Sequence, residues 1–437
     1  MTGRPDFRVD IYQNEYLPAD ARQVNAILTV TAEGSGPAGP AQGQPTGGQA
    51  AAVVLIVDCS TSMDYPKQKI RAAKQATSVA IDTLRDGTAF AVIAGTDSAR
   101  FAFPTDGSLA VANPATRAAA KQAVAGLNAN GGTAIGRWLT LAKQVLAPRN
   151  GIRHAILLTD GRNQHEEPAE LAAAVAACQG SFVCDCRGVG TDWNVDELRG
   201  IASALLGSVD IVADPAGLEA DFRAMTAAAM GKSVADVALR LWTPQGAHVR
   251  FVKQVAPTVV DLTDRRVATG PQHGDYPTGS WGAESRDYHV CVEVNPGQIG
   301  DVMLAARASL VSADTNGEPQ VLAQGLVKAV WTDDDARSTR ISPEVAHYTG
   351  QAELAQAIQE GMAARRDGDL DRATSRLGRA LALANQTGNT ETAGLLAKVV
   401  EVDDPVTGTV RLRSKVSTAD AMTLDTRSTK TSRVRRG

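Results

Sequence analysis

Asp58, Ser60, Ser62, Thr133 and Asp160 are the residues whose types and spacing could do chemistry. The first three stand in the run Asp58-Cys59-Ser60-Thr61-Ser62, Thr133 closes Gly131-Gly132-Thr133, and Asp160 follows Leu157-Leu158-Thr159 and precedes Gly161. All five offer oxygen. A hard cation such as Mg²⁺ takes about six oxygens in near-octahedral order and keeps part of its water. Two hydroxyls at i and i+2 can bind such an ion directly, while two carboxylates neutralise it and hold its waters. With both carboxylates set back, the ion stays electrophilic and an outside anion can fill the open position. The glycines beside Thr133 and Asp160 let their loops approach without Cβ crowding. The DxSxS run alone also fits a turn closed by an Asx or Ser cap. Thr133 and Asp160 at matching places favour the metal reading.

Those side chains meet only if strand ends bring them together. From 51 to 231 short apolar runs alternate with helical stripes, the pattern of a parallel sheet covered on both faces. The first strand is Ala52-Val53-Val54-Leu55-Ile56-Val57, and the next helix puts Ile70, Ala73, Thr77, Ala80, Ile81 and Leu84 on one stripe. Asn113-Pro114 opens another helix as N-cap and first residue. Asp58 and Asp160 then fall at the carboxyl ends of strands, where open α/β sheets bind ligands. The expected fold class is α/β, a doubly wound, mostly parallel sheet over 51–231, with a β-sandwich-like domain and a C-terminal helical segment beside it.

The flanks divide as follows. Residues 1–33 read as a β-hairpin and 34–50 as a Gly/Pro-rich linker unable to bury enough apolar surface to fold. Residues 232–340 revert to strand-like runs separated by turns, a sandwich-like pattern that the N-terminal hairpin would complete, which makes the α/β domain an insertion. Residues 341–403 are helical, and Gly368-Asp369-Leu370-Asp371-Arg372-Ala373 weakly resembles part of a tetratricopeptide hairpin. The tail, 404–437, carries eight Lys/Arg beyond residue 410 against Asp420 and Asp425, and is expected to be basic and disordered. Thr429 and Thr431 within it are candidate phosphorylation sites.

At 437 residues the chain suits about three folding units at roughly 150 residues each. Its 44 basic and 48 acidic residues give no global pull toward nucleic acid or an anionic membrane. No run of about 18 apolar residues appears and the start lacks a secretory pattern, so a cytoplasmic protein with no membrane or nucleic-acid partner is expected. The five cysteines lack zinc-type spacing, and Cys184 with Cys186 reads as a pair of buried thiols. The six histidines are scattered. Asn163, His165, Glu166 and Glu167 either rim the site or form a solvated loop, and Trp138 reads as core.

The five oxygen residues, in this order and on these strand ends, resemble the metal-ion-dependent adhesion site of von Willebrand factor type A domains, with every position filled. The resemblance covers 51–231. It implies Mg²⁺ or Mn²⁺ bound by Ser60, Ser62 and Thr133 with Asp58 and Asp160 assisting. The flanking residues resemble bacterial, actinobacterial-like intracellular members. The implied function is a metal-dependent protein-binding or scaffold module, not an enzyme, that captures an exposed Asp, Glu or other anion of a protein partner in intracellular signalling or complex assembly. The tail would offer a second contact, to a phosphothreonine-reading, forkhead-associated protein. The rival readings are a metal-dependent phosphoester hydrolase and a metal-free scaffold. A haloacid dehalogenase-type phosphatase needs a carboxylate where Ser60 stands, and neither GxSxG nor GxxxxGK[ST] occurs.

Overall fold

The computed structural model describes residues 5–34, 50–65, 67–313 and 318–434. Residues 35–49, the body of the expected linker, and 435–437 lie outside the described residues. The described residues form two compact units, one built on residues 50–65 and 67–236 with Gly279–Gly282, the other on residues 5–34, Val237–Thr278, and residues 283–313 and 318–434.

The first unit is the α/β domain. Its strands are β1 (Ala51–Asp58), β2 (Ala89–Gly95), β3 (Ala99–Phe103), β4 (Ala110–Val111), β5 (Ile152–Thr159), β6 (Val183–Val189) and β7 (Val209–Val212). They run in the order β7-β6-β5-β1-β2-β3, with β4 also pairing to β2. All neighbours are parallel except β3 and β4, which run antiparallel to β2. β1 and β5 are apolar and buried almost throughout, as central strands covered on both faces must be. The chain passes from β1 to one side at β2 and to the other at β5, so the crevice at their carboxyl ends is the switch point where α/β sheets take ligands.

Helices α1 (Gln68–Thr83), α2 (Pro114–Ala125), α3 (Ile135–Leu146), α4 (Pro168–Cys178), α5 (Val195–Ala204) and α6 (Leu218–Met230) complete the unit. α1 buries Ile70, Ala73, Thr77, Ala80 and Ile81, residues of the stripe read from the sequence, and all but Thr77 join one core cluster with Leu218, Phe222 and Met225 of α6. Asn113 caps α2 in a capping box with Thr116. Trp138 of α3 is fully buried and donates its indole N–H to the Thr96 carbonyl at 2.7 Å. Its ring lies so close to β2 that a Cβ on Gly95 would fall 2.4 Å from it.

In the second unit, Asp6–Gln13 and Gln23–Glu33 pair antiparallel, and Gln23–Glu33 continues onto Glu284–Glu293 over ten residue pairs. His248–Ala256 and Val260–Asp261 finish this five-stranded sheet. A six-stranded sheet runs Val267–Gly270, His273–Gly282, Lys232–Trp242, Val302–Ala313, Pro319–Trp331, and Tyr16–Leu17 at its edge. The sequence reading placed 16–17 in the N-terminal hairpin; the pair instead joins Val330 and Trp331 in parallel. Helices Pro343–Arg366, Leu370–Gln386 and Thr390–Val399 follow.

The tail corrects the expectation of disorder. Val400–Asp404 and Thr409–Leu412 form a hairpin and Thr418–Thr426 a helix. Leu424 is fully buried in a cluster with Leu377, Leu381 and Leu396, and Asp425 pairs with Arg366 at 2.6 Å. A few well-spaced apolar residues seat this segment on the helices, whereas the basic composition pointed the other way. Thr429 and Thr431 belong to the same folded stretch: the Thr429 carbonyl accepts from Val259 N–H, and Thr431 donates its hydroxyl to the Val255 carbonyl at 2.7 Å. A docking peptide made from this stretch has to peel away from those partners. No helix among the described residues is long and apolar enough to cross a membrane.

Candidate metal centre

The five sequence-selected residues converge at the carboxyl ends of β1 and β5. Asp58 ends β1, is fully buried, accepts from Ser60 N–H at 2.7 Å through Oδ1, and accepts from the Thr159 hydroxyl at 2.5 Å through Oδ2. Ser60 Oγ lies 2.9 Å from Ser62 Oγ, which donates to Asp160 Oδ1 at 2.7 Å. A Cβ on Gly161 would sit 3.3 Å from Thr133 Oγ1, 3.4 Å from Ser62 Oγ and 3.9 Å from Asp58 Oδ2, so oxygens from two chain segments, the 58–62 run and the Thr133 loop, face one point beside a third. Only a glycine leaves that point open.

Backbone bonds fix the loops that carry these groups. Cys59 N–H donates to the Gly95 carbonyl, and Asn130 N–H to the Cys59 carbonyl, each at 2.7 Å. Thr61 donates both its N–H and its hydroxyl to the Gly131 carbonyl at 3.0 Å. Gly131 takes a φ of +104°, a left-handed conformation that suits glycine. Met63, fully buried, anchors the short 3₁₀ turn Thr61–Asp64.

The electrostatics are those of a desolvated acidic pocket. Burial pushes the Asp58 carboxyl up to about 6; hydrogen bonds from Ser60 and Thr159 oppose the shift and the Asp160 charge adds to it. The Cys59 thiol, pushed up to about 12 by burial and then by Asp58, is an inert packing group.

Two features of the site were not read from the sequence. Lys69, on the first turn of α1 and only 6% exposed, donates to Asp160 Oδ2 at 2.7 Å and to Asp192 Oδ2 at 3.1 Å. Burial lowers its pKa, but bonding to both aspartates outweighs this and holds the ammonium above its ordinary value. Lysine at the start of a helix normally reads as solvated, so the sequence carried no signal for it. Thr159, the partner of Asp58, read simply as the last residue of a strand.

The second feature is a clamp on the start of α3. His165 Nδ1 accepts from Thr133 N–H at 3.1 Å, Asn163 Oδ1 accepts from Ile135 N–H at 2.9 Å, and Glu166 Oε1 accepts from Gly136 N–H at 2.5 Å. The Ile135 and Gly136 N–H groups are among those that a helix start leaves without intrahelical partners. The Thr133 carbonyl in turn accepts from Gln164 and His165 N–H at 3.0 Å each. The 163–166 segment, with His165 exposed, ties the Thr133 loop to the loop after Asp160 through these bonds.

The donor set fits a hard cation. Among the described residues no cluster of three or more His, Cys, Asp and Glu side chains could hold a metal. Here two carboxylates and three hydroxyls meet, all oxygen, a set that suits Mg²⁺ or Mn²⁺ better than zinc.

The chain belongs to the von Willebrand factor type A family, whose members often mediate protein–protein interactions and typically bind a divalent metal at this edge of the sheet. The model of the von Willebrand factor type A domain matches residues 51–211, and that of the von Willebrand factor type A C-terminal domain matches 382–428. A von Willebrand factor type A structure from Catenulispora acidiphila is 54% identical, covers 99% of this chain and 98% of its own, and superposes with a TM-score of 0.93. The crystal structure of the ArnB paralog VWA2 from Sulfolobus acidocaldarius shares 14% identity over 97% of this chain and 98% of that one, with a TM-score of 0.59. The human COPII-coat protein Sec24c shares 9% over 99% and 75%, with a TM-score of 0.57. These last two show likeness of fold alone. No curated protein matches the chain.

Proposed function

We propose that this protein is a metal-dependent binding module that holds Mg²⁺ or Mn²⁺ through Ser60, Ser62 and Thr133, with Asp58 and Asp160 behind them, and captures an exposed Asp, Glu or other anion of a protein partner. The observation that carries the reading is the convergence of Thr133 Oγ1, Ser62 Oγ and Asp58 Oδ2 on the open point beside Gly161. A bound dication supplies a Lewis-acidic position there. The chain's own part is to aim the hydroxyls, to neutralise from behind, and to keep the loops fixed.

The hydrolase reading is weaker on this geometry. Both Asp58 oxygens are already engaged, by Ser60 N–H and the Thr159 hydroxyl, so the carboxylate is poorly placed to attack a phosphorus. Ser60 stands where a second carboxylate would serve as acid and base. The five cysteines are free and buried, which suits a reducing compartment such as the cytoplasm.

Isothermal titration of Mg²⁺ into demetallated protein, wild type and Asp58→Ala, tests the reading. Saturable binding by wild type that Asp58→Ala abolishes, together with a partner retained on immobilised protein in Mg²⁺ and released by chelator, is the expected result. An unchanged Asp58→Ala titration would sink the assignment, and turnover of a phosphoester panel would move it to the hydrolase.

A further inference from the structure

The site contains a cation of its own. Lys69 has side-chain exposure of 7% and bonds Asp160, which has none. Lysine is almost never this buried unless paired, and desolvating an ammonium costs several kcal/mol before the pairing offsets it. Both Asp160 oxygens are thereby engaged: Oδ1 takes the Ser62 hydroxyl and Oδ2 takes the ammonium. Asp192, the other acceptor, is 68% exposed, so its charge is largely screened by solvent.

We propose that Lys69 sets the charge of the site: by cancelling Asp160 and holding it back from direct coordination, it weakens metal binding and leaves the loaded centre with a surplus positive charge for a carboxylate. The inference rests on the metal-binding reading and deepens it. With Asp58 and Asp160 negative and Lys69 positive, a dication leaves one surplus positive charge; without Lys69 the loaded centre is neutral. Lys69 is a positioning and charge-setting residue that touches Asp160 and leaves the arriving anion to the metal. A purely structural pair predicts that removing Lys69 changes stability and leaves the balance between metal and anion affinity as it was.

The test uses full-length protein, with Mn²⁺ as the metal and acetate as the anion, followed by electron paramagnetic resonance and water-proton relaxation. Lys69→Gln keeps a donor for Asp160 and drops the charge; Lys69→Arg keeps the charge. Relative to wild type, Lys69→Gln binds Mn²⁺ about tenfold more tightly and its Mn²⁺ form binds acetate about tenfold more weakly, while Lys69→Arg restores both to within about threefold. Both affinities unchanged in Lys69→Gln, or both shifted in the same direction, would overturn the inference. Wild-type protein that binds no Mn²⁺ would overturn the metal-binding reading itself, a distinct failure.

A second measurement needs no variant. The Lys69 ammonium, protected by its bond to Asp160, gives a slowly exchanging ¹⁵N signal that persists when wild type is saturated with diamagnetic Mg²⁺. Loss of that signal on saturation means that Asp160 has left Lys69 for the metal, and the inference fails.

Discussion

His165 and Thr133 hold each other through the backbone of Thr133: its N–H donates to His165 Nδ1 at 3.1 Å, and its carbonyl accepts from His165 N–H at 3.0 Å. One ring therefore fixes the loop carrying a candidate metal ligand against the loop that follows Asp160. Gly132 follows from this packing, because a Cβ there would fall 2.2 Å from the His165 ring. Placing a ligand well depends on the groups behind it, and losing such support typically costs about 10–100-fold in metal affinity.

Removing the clamp should thus act on metal affinity more than on folding. His165→Ala is expected to weaken Mg²⁺ binding about tenfold and to lower unfolding free energy by about 1 kcal/mol, the usual scale for one lost hydrogen bond. Gly132→Ala should do similar damage by expelling the ring. The double variant should be no worse than Gly132→Ala alone, since the clash is then gone. Titration calorimetry on the set checks this, and additive losses would show that the two residues act separately.

A pH dependence follows from His289, which lies in the strand Glu284–Glu293 of the second unit. Burial, then the Lys253 charge, lowers it to about 4; Asn25 Oδ1 is 3.0 Å from its Nε2, and the Phe251 ring packs edge-on. The unfolded chain binds this proton near pH 6.5 and the folded one near 4, so the unfolded state holds more protons between those values. Stability from neutral His289 is full above about pH 6.5 and declines as pH falls toward 4, by as much as about 3 kcal/mol. His289→Gln should flatten the stability profile over that window in urea unfolding. A variant profile as steep as the wild type's would contradict the assignment.

The N-terminal strands should be indispensable to the second unit. Gln23–Glu33 lies between Asp6–Gln13 and Glu284–Glu293, and its Val24, Ile27, Leu28 and Val30 are fully buried. Protein lacking residues 1–50 leaves Glu284–Glu293 with an open, apolar edge, the arrangement that promotes aggregation. Loss of soluble protein on gel filtration is the expected outcome, and a soluble product of unchanged melting temperature would refute it.

The tail makes a similar demand on a single residue. Leu424→Ala should cost about 2–5 kcal/mol, as for other fully buried leucines, with the loss read from guanidinium unfolding. A change below about 0.5 kcal/mol, the scale of surface substitutions, would mean that the tail helix does not pack where it is placed.

Much of this was legible in the sequence. The period-3.6 stripe of α1, the buried runs of β1 and β5 and the Asn113-Pro114 cap each carry their own local signal, so the α/β fold followed from them. The oxygen set was legible because Asp58 and Asp160 close apolar strand runs, while Ser60, Ser62 and Thr133 stand in short turns with a recognisable spacing. Lys69 and His165 were not, since what makes them matter is a contact across 91 residues for Lys69–Asp160 and across 32 for His165–Thr133, with no local pattern to mark either. The tail misled for a different reason. Charge and Ser/Thr content describe an average, whereas Val410 and Leu424 are two separated residues that find an existing apolar cluster.

Crystals of the full chain soaked in Mn²⁺ and measured for anomalous scattering put the central claim to its most direct trial. A single strong peak within bonding distance of Ser60 Oγ, Ser62 Oγ and Thr133 Oγ1, with Asp160 still bonded to Lys69, is the result this account predicts. No anomalous density between those hydroxyls at saturating Mn²⁺ would contradict it.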